Sequence, residues 1–138
     1  HTTTPPVLHR DLKSANVLLN KDLTCKISDF GTVAMVVPFT TGKVVTNPRW
    51  QAPEVLQNLP YGAPSDVYAF GIVLWELCTR EIPFTGKASY AWAHNVEDDV
   101  CRGQRPPVSQ AFPKLLADLM VECWVQEPDQ RPNFVQVE

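Results

Sequence analysis

The stretch HRDLKSANVLLN, residues 9–20, places a carboxylate, a cation and an amide close together in Asp11, Lys13 and Asn16. These side chains offer a proton acceptor, a positive charge and a neutral oxygen ligand, the groups that a polar reaction site needs. Each also has a structural alternative. Asp and Asn stabilise turns through hydrogen bonds to nearby backbone groups, and a single Lys can be a solvated surface charge. The three residues by themselves leave a turn and a reaction site open.

Two short apolar stretches follow, Val17–Leu19 and 25–28, and the polar sequence NKDL connects them. Apolar stretches joined by a short polar connection predict a β-hairpin. The hairpin would carry the chain outward after Asn16 and back to Asp29, so we expect these two side chains to lie near each other. Asp29 alone has the same turn-stabilising alternative as Asp11.

A buried helix is predicted further along the chain. Residues 67–78, VYAFGIVLWELC, are apolar around the whole helical circumference except at Glu76. A helix that is apolar on every side is a buried one, so this helix is expected at the centre of the fold. Ser65 fits its N-cap, and Asp66 is favourable beside the positive end of the helix dipole.

Two more helices are predicted, at residues 87–102 and 112–126. Pro113 suits a first helical position in the second of them. The apolar residues of that helix follow a helical spacing and form one predicted stripe: Leu115, Leu116, Leu119, Met120, Cys123 and Trp124. The predicted fold class is therefore mainly α with a small β-hairpin.

Composition narrows the functional classes. The chain has 138 residues, a net charge of −3 and an isoelectric point near 5.6, without the basic patch of a nucleic-acid binder. Its longest apolar run, residues 67–75, is far shorter than the ~20 residues of a membrane span. The four cysteines form no C-x-x-C pair, which favours reduced, buried thiols in a cytoplasmic protein. We expect neither nucleic acid nor a membrane segment among the partners of this chain.

Three motifs occur in a fixed order: HRDLKSAN at 9–16, DFG at 29–31 and APE at 52–54. Together they resemble the catalytic loop, the metal-binding motif and the end of the activation segment of protein kinases. The sequences GQRPP and ECW…RPNF are similar to the late helices of tyrosine-kinase-like and tyrosine kinases. The resemblance covers nearly all of residues 1–138. It implies the C-terminal lobe of the protein-kinase-like fold, as a partial domain that is cut at both ends.

The family's N-terminal lobe has no counterpart in the sequence, because no G-x-G and no V-A-I-K-like strand is present. The resemblance implies that the missing lobe is a partner of this chain and that the isolated 138 residues neither transfer phosphate appreciably nor bind ATP well. Three functions stay open for the parent protein: an active kinase, a pseudokinase or scaffold without catalysis, and a helical interaction fragment without a nucleotide role.

The resemblance also assigns roles to the polar residues. Asp11 would accept the proton of the substrate hydroxyl and orient it, and Lys13 would lie near the transferred phosphate of ATP. Asn16 and Asp29 would hold Mg²⁺, which prefers hard oxygen ligands. The implied cofactors are ATP and Mg²⁺, and the implied partner is a protein substrate.

Five structural or regulatory residues follow from the resemblance. Asp66 would anchor the backbone of the catalytic loop, and Glu54 would form a buried ion pair with Arg131. His9 would pack rather than catalyse. Arg10, which precedes Asp11, is of the type that receives a phosphate from the activation loop.

The expected regulatory loop spans residues 32–46 and contains threonines but no tyrosine. Phosphorylation would add about −1.5 to −2 charges, so a phosphothreonine could dock on Arg10. Thr40 or Thr41 is the predicted site. The alternative is that these residues are simply loop threonines.

The sequence supports two interpretations of the substrate specificity. Lys13 in HRDLKSAN resembles serine/threonine and tyrosine-kinase-like enzymes, whereas Pro48 lies where tyrosine kinases commonly carry a proline. Thr46 follows Val45 rather than glycine and stands one position farther from Trp50 than in the usual serine/threonine pattern. This departure puts a contact between Thr46 and the catalytic residues in question. We favour serine/threonine specificity, with tyrosine or dual specificity as the alternative.

Overall fold

The computed structural model describes residues 7–35 and 46–137, with Ala34 and Met35 described by their backbone alone. Four short strands form in this part of the chain: β1 (Val7–Leu8), β2 (Val17–Leu19), β3 (Cys25–Ile27) and β4 (Ala34–Met35). Five α-helices follow: α1 (Pro53–Leu56), α2 (Ala63–Thr79), α3 (Ala93–Cys101), α4 (Lys114–Cys123) and α5 (Phe134–Val137). The predicted fold class, mainly α with a small hairpin, is confirmed.

The predicted hairpin is strands β2 and β3, which pair antiparallel with Val17 opposite Ile27. Asn20 organises its turn, because the Asn20 side-chain oxygen accepts hydrogen bonds from the backbone N–H groups of Asp22 and Thr24 at 3.0 and 2.8 Å. This use of an Asn side chain to close a turn is the local chemistry that the NKDL sequence supplies.

A second two-stranded sheet joins β1 to β4, also antiparallel, with Leu8 opposite Ala34. The sequence did not predict it, since strands of two residues are too short to show an alternating pattern. This small sheet brings the chain after the DFG sequence back beside the chain before the HRD sequence.

Helix α2 is the buried centre of the fold, as predicted, and Val67, Tyr68 and Ile72 are almost fully buried. Helix α2 packs most closely against α4, and Gly71 permits this approach. A Cβ atom at Gly71 would lie 2.9 Å from the Cβ of Cys123, a distance that side chains do not tolerate.

The start of α2 differs from the prediction. The helix begins at Ala63 after Gly62, so Ser65 lies inside the first turn and is not the N-cap. Pro64 fits this first turn because its missing N–H has no partner to lose there. The Ser65 hydroxyl instead donates to the carbonyl oxygen of Gly62 at 2.8 Å.

The later helices are shorter than predicted. Trp92 has an extended backbone and separates α3 from a preceding 3-10 turn, Ala88–Ala91. In α4, Met120 and Cys123 are buried, but Leu115 is 83% exposed and does not belong to the core. The predicted apolar stripe was too wide, because only one side of α4 contacts α2.

The cysteine prediction holds in part. All four cysteines are free thiols, but only Cys123 is buried, Cys78 and Cys101 are half-buried, and Cys25 is exposed on the hairpin. None of the helices in the described ranges combines the length and the apolar character that a membrane crossing requires.

Candidate active site

The loop between β1 and β2 brings Asp11, Lys13 and Asn16 into direct contact. Lys13 Nζ donates to Asp11 Oδ2 at 2.6 Å. A 3-10 turn, Ser14–Asn16, curls the chain back so that the backbone N–H of Asn16 donates to Lys13 O at 2.9 Å. The three residue types singled out in the sequence therefore occupy one site.

The amide of Asn16 has a defined orientation. Its Nδ2 donates to the backbone oxygen of Asp11 at 2.8 Å and to Asp11 Oδ2 at 3.2 Å. Because both contacts use the amide nitrogen, the oxygen Oδ1 is left to accept from, or coordinate, another group. Asn16 thus orients the carboxylate of Asp11 and offers an oxygen of its own.

The hairpin returns Asp29 to the side of Asn16. The backbone N–H and the hydroxyl of Ser28 donate to the carbonyl oxygen of Asn16 at 2.8 and 3.1 Å. Asp29 has a left-handed backbone, with φ 61°, which is uncommon for a residue other than glycine and is found at functional sites. Gly31 leaves room for it, since a Cβ there would lie 3.3 Å from Asp29 Oδ1.

The oxygens of Asn16 and Asp29 suit Mg²⁺ in type and in accessibility. Asp29 is exposed, and no hydrogen bond to its carboxylate is made by the residues at 7–35 and 46–137. The same ranges contain no group of three or more His, Cys, Asp or Glu side chains that would enclose a metal. A site of one carboxylate and one amide oxygen fits Mg²⁺, which is commonly bound by one or two carboxylates together with waters and substrate phosphates.

Asp66, near the start of α2, holds the backbone before Asp11. Its two carboxylate oxygens accept from the backbone N–H groups of His9 and Arg10, at 2.8 and 3.0 Å. Burial raises the pKa of Asp66, and the two backbone hydrogen bonds oppose that rise. Arg10 has a positive φ of 67°, so these bonds maintain a backbone conformation that is otherwise unfavourable. The anchoring contact implied by the resemblance is present.

Glu76, near the end of α2, holds the same loop on the other side of Asp11 and was not predicted. Glu76 Oε1 accepts from the Ser14 hydroxyl at 2.6 Å, and Oε2 accepts from the Ser14 backbone N–H at 3.2 Å. Glu76 Oε2 also accepts from Trp50 Nε1 at 2.7 Å. The sequence carried a signal for this residue, because Glu76 is the one charged position in an otherwise apolar helical stretch.

His9 and Arg10 contact the DFG region rather than the reacting groups. His9 Nε2 lies 2.9 Å from the carbonyl oxygen of Ser28, and the His9 ring packs edge-on against Phe30. Arg10 Nε donates to the carbonyl oxygen of Thr32, and the Thr32 hydroxyl donates to His9 O at 2.8 Å. His9 has the packing position expected of it.

The predicted regulatory threonines have different outcomes. Thr40 and Thr41 lie outside the described residues. Thr46 accepts a hydrogen bond from Gln51 Nε2 and lines a cavity of about 20 Å³ together with Arg10 and Asp11. Within the described ranges no hydrogen bond joins Thr46 to Asp11, so Thr46 lies near the Asp11 carboxylate without contacting it through a polar group.

Glu54 and Arg131 form the expected ion pair below the site. Arg131 donates from its two terminal nitrogens to Glu54 Oε1 and Oε2 at 2.7 and 2.9 Å, and both side chains are buried. The guanidinium also stacks on the Tyr68 ring at 5.2 Å, and burial raises the pKa of Tyr68 to about 12. This pair connects α1, whose first two residues complete the APE motif, to the last part of the chain.

The site places a carboxylate, a cation and oxygens of the type that Mg²⁺ prefers on a mainly helical fold. The family model for "Protein tyrosine and serine/threonine kinase" matches residues 3–138. The chain belongs to this protein kinase family.

Individual relatives agree with the family model. The chain is 39% identical over 97% of its length to a probable serine/threonine-protein kinase, roco8, of Dictyostelium discoideum, and 42% identical over 99% to the cyclic GMP-binding protein C of the same organism. It is 40% identical over 95% to the serine/threonine/tyrosine-protein kinase HT1 of Arabidopsis thaliana. The chain spans 7%, 5% and 33% of the lengths of these three relatives.

Proposed function

We propose that the kinase domain containing this chain transfers the terminal phosphoryl group of ATP to serine or threonine hydroxyls of proteins. The observation that carries the proposal is the contact of Asp11 with Lys13 and Asn16, together with the hydrogen bond from Ser28 to Asn16 O that brings the chain back directly before the exposed Asp29. The 1–138 stretch would supply the catalytic loop, the Mg²⁺ ligands and the lobe that receives the protein substrate.

The roles of the side chains follow from their contacts. Asp11, oriented by Asn16, accepts a hydrogen bond from the incoming hydroxyl and takes its proton as the phosphoryl group transfers. A carboxylate is a weak base, so orientation of the hydroxyl is its larger contribution. Lys13 supplies positive charge beside the reacting oxygens.

Asn16 and Asp29 would hold Mg²⁺ through Oδ1 and the carboxylate. The ion supplies charge neutralisation at the phosphate oxygens of ATP when it is bound. The two proposed ligands lie at the two ends of the hairpin, which starts after Asn16 and ends just before Asp29. The hairpin therefore determines how far apart they are.

Specificity for serine and threonine is supported by Lys13 and by the name of the roco8 relative, a probable serine/threonine-protein kinase. Pro48 and the HT1 relative, which is named as a serine/threonine/tyrosine kinase, support dual specificity as the alternative. Phosphoamino-acid analysis of a mixed protein substrate distinguishes them. Phosphoserine and phosphothreonine alone are the expected products, and phosphotyrosine would establish the alternative.

The proposed partner of the hairpin is the N-terminal lobe of the same domain. Five large apolar side chains are exposed on or beside the hairpin: Leu18, Leu19, Leu23, Ile27 and Phe30. Exposed apolar groups of this extent mark a contact surface. The isolated 138 residues are therefore proposed to be inactive, and phosphate transfer by this chain alone would contradict that proposal.

A regulatory role is proposed for Arg10, with Thr40 or Thr41 as the phosphorylation site. Arg10 Nε donates to the carbonyl oxygen of Thr32, and a second guanidinium nitrogen lies 3.5 Å from the Tyr61 hydroxyl. Arg10 therefore contacts the first residue of the expected regulatory loop. Mass spectrometry of the active full-length protein is expected to find phosphate on one of the two threonines. Finding both unmodified would contradict this assignment.

The location proposed for the protein is cytoplasmic, which suits its four free thiols because disulfides are rare in reducing compartments.

The direct test uses the full-length protein with radiolabelled ATP and a generic protein substrate. Transfer of label that requires Mg²⁺ and stops with a chelator is expected. Binding of ATP and Mg²⁺ without transfer would identify a pseudokinase, and failure to bind both would favour an interaction module.

A further inference from the structure

We propose that a cavity beside the last part of α2 is a docking site for a segment of the protein substrate in which an apolar side chain lies next to a basic one. This docking cavity is enclosed by α2, residues 81–90 and residues 104–107. The identification of the occupant as the substrate rests on the proposed phosphoryl transfer. The preference for an apolar group beside a positive charge rests on the lining of the cavity alone.

The docking cavity has the size and the lining of a ligand site. Its volume is about 360 Å³, and ligand pockets in proteins range from about 300 to 1,000 Å³. Aromatic and proline residues supply most of its apolar lining: Trp75, Phe84, Tyr90, Pro106 and Pro107. A lining of this kind favours an apolar side chain, because the side chain leaves water when it enters.

The walls of the docking cavity are held in place by their own contacts. Trp75 Nε1 donates to the carbonyl oxygen of Pro107 at 2.8 Å, which joins α2 to residues 104–107. The rings of Phe84 and Tyr90 pack edge-on, with their centroids 5.7 Å apart. Phe84 also has a positive φ of 55°, a conformation that is unusual for a bulky residue and is found at ligand-binding sites. The cavity is therefore already formed without a ligand.

The charged residues of the lining differ in whether they already have partners. Lys87 Nζ donates to Asp99 Oδ2 at 3.0 Å, and Arg105 donates to three backbone carbonyl oxygens and to Gln126 Oε1. Glu81 is exposed, and no hydrogen bond to its carboxylate is made by residues 7–35 and 46–137. An unpaired carboxylate attracts a cation, so the cavity favours a positive charge beside the apolar group.

The position of the docking cavity makes the protein substrate its occupant. Arg49 Nη2 donates to the backbone oxygen of Tyr90, a residue of the cavity lining, at 3.0 Å. Asn47 and Trp50, on either side of Arg49, line the small cavity that also includes Asp11. One short segment thus separates the docking cavity from the Asp11 carboxylate. A protein whose hydroxyl group lies at Asp11 can place a second segment of its chain in the docking cavity.

The first experiment measures binding of three capped probe peptides to the full-length protein, without ATP, by saturation-transfer difference NMR. The probe is Gly-Gly-Phe-Lys-Gly-Gly, and the other two replace its Phe by Ala or its Lys by Glu. The Phe-Lys peptide is expected to bind with its ring protons most strongly saturated. The Ala-Lys peptide should bind about tenfold or more weakly and the Phe-Glu peptide about fivefold more weakly. No binding of the Phe-Lys peptide, or equal binding of all three, overturns the proposal.

Variants of Glu81 locate the bound peptide. Glu81→Gln is expected to weaken binding of the Phe-Lys peptide by about two- to fivefold, and Glu81→Lys to reverse the order of the Phe-Lys and Phe-Glu peptides. The control is Glu122→Gln, the same substitution at an exposed glutamate on α4, and it should match wild type. Equal affinity for the Phe-Lys peptide in wild type and Glu81→Gln, or an equal loss in Glu122→Gln, overturns the assignment of the cavity.

A kinetic experiment tests the substrate as the occupant. A serine-containing substrate peptide is joined to the Phe-Lys segment through Gly-Ser linkers of about 5, 10 and 20 residues. At a linker length that spans both sites, KM is expected to fall by about tenfold with kcat unchanged, and the Phe-Glu versions should show a smaller fall. The same KM at every length overturns the substrate as the occupant. The peptide titrations contain no ATP, so they decide the binding site even if the wild-type protein transfers no phosphate.

Discussion

Two ion pairs in this chain have nearly the same length but differ in how far their cations are exposed to solvent. Glu54 and Arg131 approach to 2.7 Å from positions 77 residues apart, and their side chains are 5% and 0% exposed. Asp11 and Lys13 approach to 2.6 Å from positions two residues apart, and their side chains are 9% and 25% exposed. Distance alone does not distinguish a pair that holds the fold from a pair that is proposed to serve catalysis.

The difference lies in how much hydrogen-bonding capacity is used. Arginine has five N–H donors, and Arg131 directs them to both Glu54 oxygens and to the carbonyl oxygens of Pro64, Val125 and Gln126. No donor remains for a ligand. A fully satisfied, buried pair is therefore structural.

The Asp11–Lys13 pair leaves part of its hydrogen-bonding capacity unused. The Lys13 ammonium has three N–H donors and uses one on Asp11, within the described part of the chain. Asp11 Oδ2 accepts from Lys13 and Asn16, while Oδ1 receives no hydrogen bond from residues 7–35 and 46–137. Unused donors and acceptors at a partly open position are what a substrate hydroxyl and a phosphate require.

Removing Arg131 should have the largest effect on stability. Arg131→Ala leaves the buried Glu54 charge unpaired and removes a donor from three carbonyl oxygens, so the free energy of unfolding is expected to fall by about 3–5 kcal/mol. Urea unfolding of the intact kinase domain measures it. An unchanged unfolding midpoint would show that the pair does not hold the lobe together.

Removing the amide of Asn16 should affect activity more than stability. Asn16→Ala takes away the proposed Mg²⁺ oxygen and the donor that orients Asp11, and we expect about a 10²-fold loss of kcat, or about 2.7 kcal/mol. A titration of activity against Mg²⁺ is expected to move to higher concentration. If kcat stays within twofold and the Mg²⁺ dependence is unchanged, Asn16 is a turn residue only.

Removing the cation of Lys13 should have a smaller effect. Lys13 is a quarter exposed and Asn16 still orients Asp11, so Lys13→Ala is expected to lower kcat by about 10-fold, with unfolding changed by less than about 1 kcal/mol. Steady-state kinetics and urea unfolding of the same preparation test both parts. A large fall in the free energy of unfolding would instead show that the Asp11–Lys13 pair is structural, as Glu54–Arg131 is.

The smallest effect is expected at an exposed arginine. Arg102 lies 3.4 Å from Asp98 and from Asp99 and is 68% exposed, so solvent screens both contacts. Arg102→Ala should change the free energy of unfolding by less than about 0.5 kcal/mol. It is the matched control for Arg131→Ala, and an equal loss in both variants would mean that burial does not decide the strength of these pairs.

The sequence predicted the local parts of the site well. The hairpin that joins Asn16 to Asp29 follows from two apolar stretches and a polar turn, and the buried helix follows from an uninterrupted apolar run. Both depend on neighbouring residues alone. The start of that helix was misplaced because a serine near a helix start fits several positions of the first turn, and Ser65 bonds back to Gly62.

Contacts between residues far apart in the sequence could not be predicted from local sequence patterns. The pairing of Glu54 with Arg131 was available only from the resemblance to kinases, since nothing local relates these positions. The contacts of Glu76 were not predicted, although the sequence shows a single charged residue in an apolar helix. The sequence does not show which hydrogen-bond donors such a carboxylate contacts. The sheet between Val7–Leu8 and Ala34–Met35 was missed because strands of two residues are too short to show an alternating pattern.

The measurement closest to the central claim compares phosphate transfer by the full-length wild type and its Asp11→Asn variant. Asparagine keeps the size of the side chain and one oxygen acceptor, but not the proton-accepting carboxylate. We predict a loss of kcat of about 10³-fold, with ATP binding retained and unfolding changed by less than about 1 kcal/mol. A variant that transfers phosphate at a rate within tenfold of wild type would contradict the account.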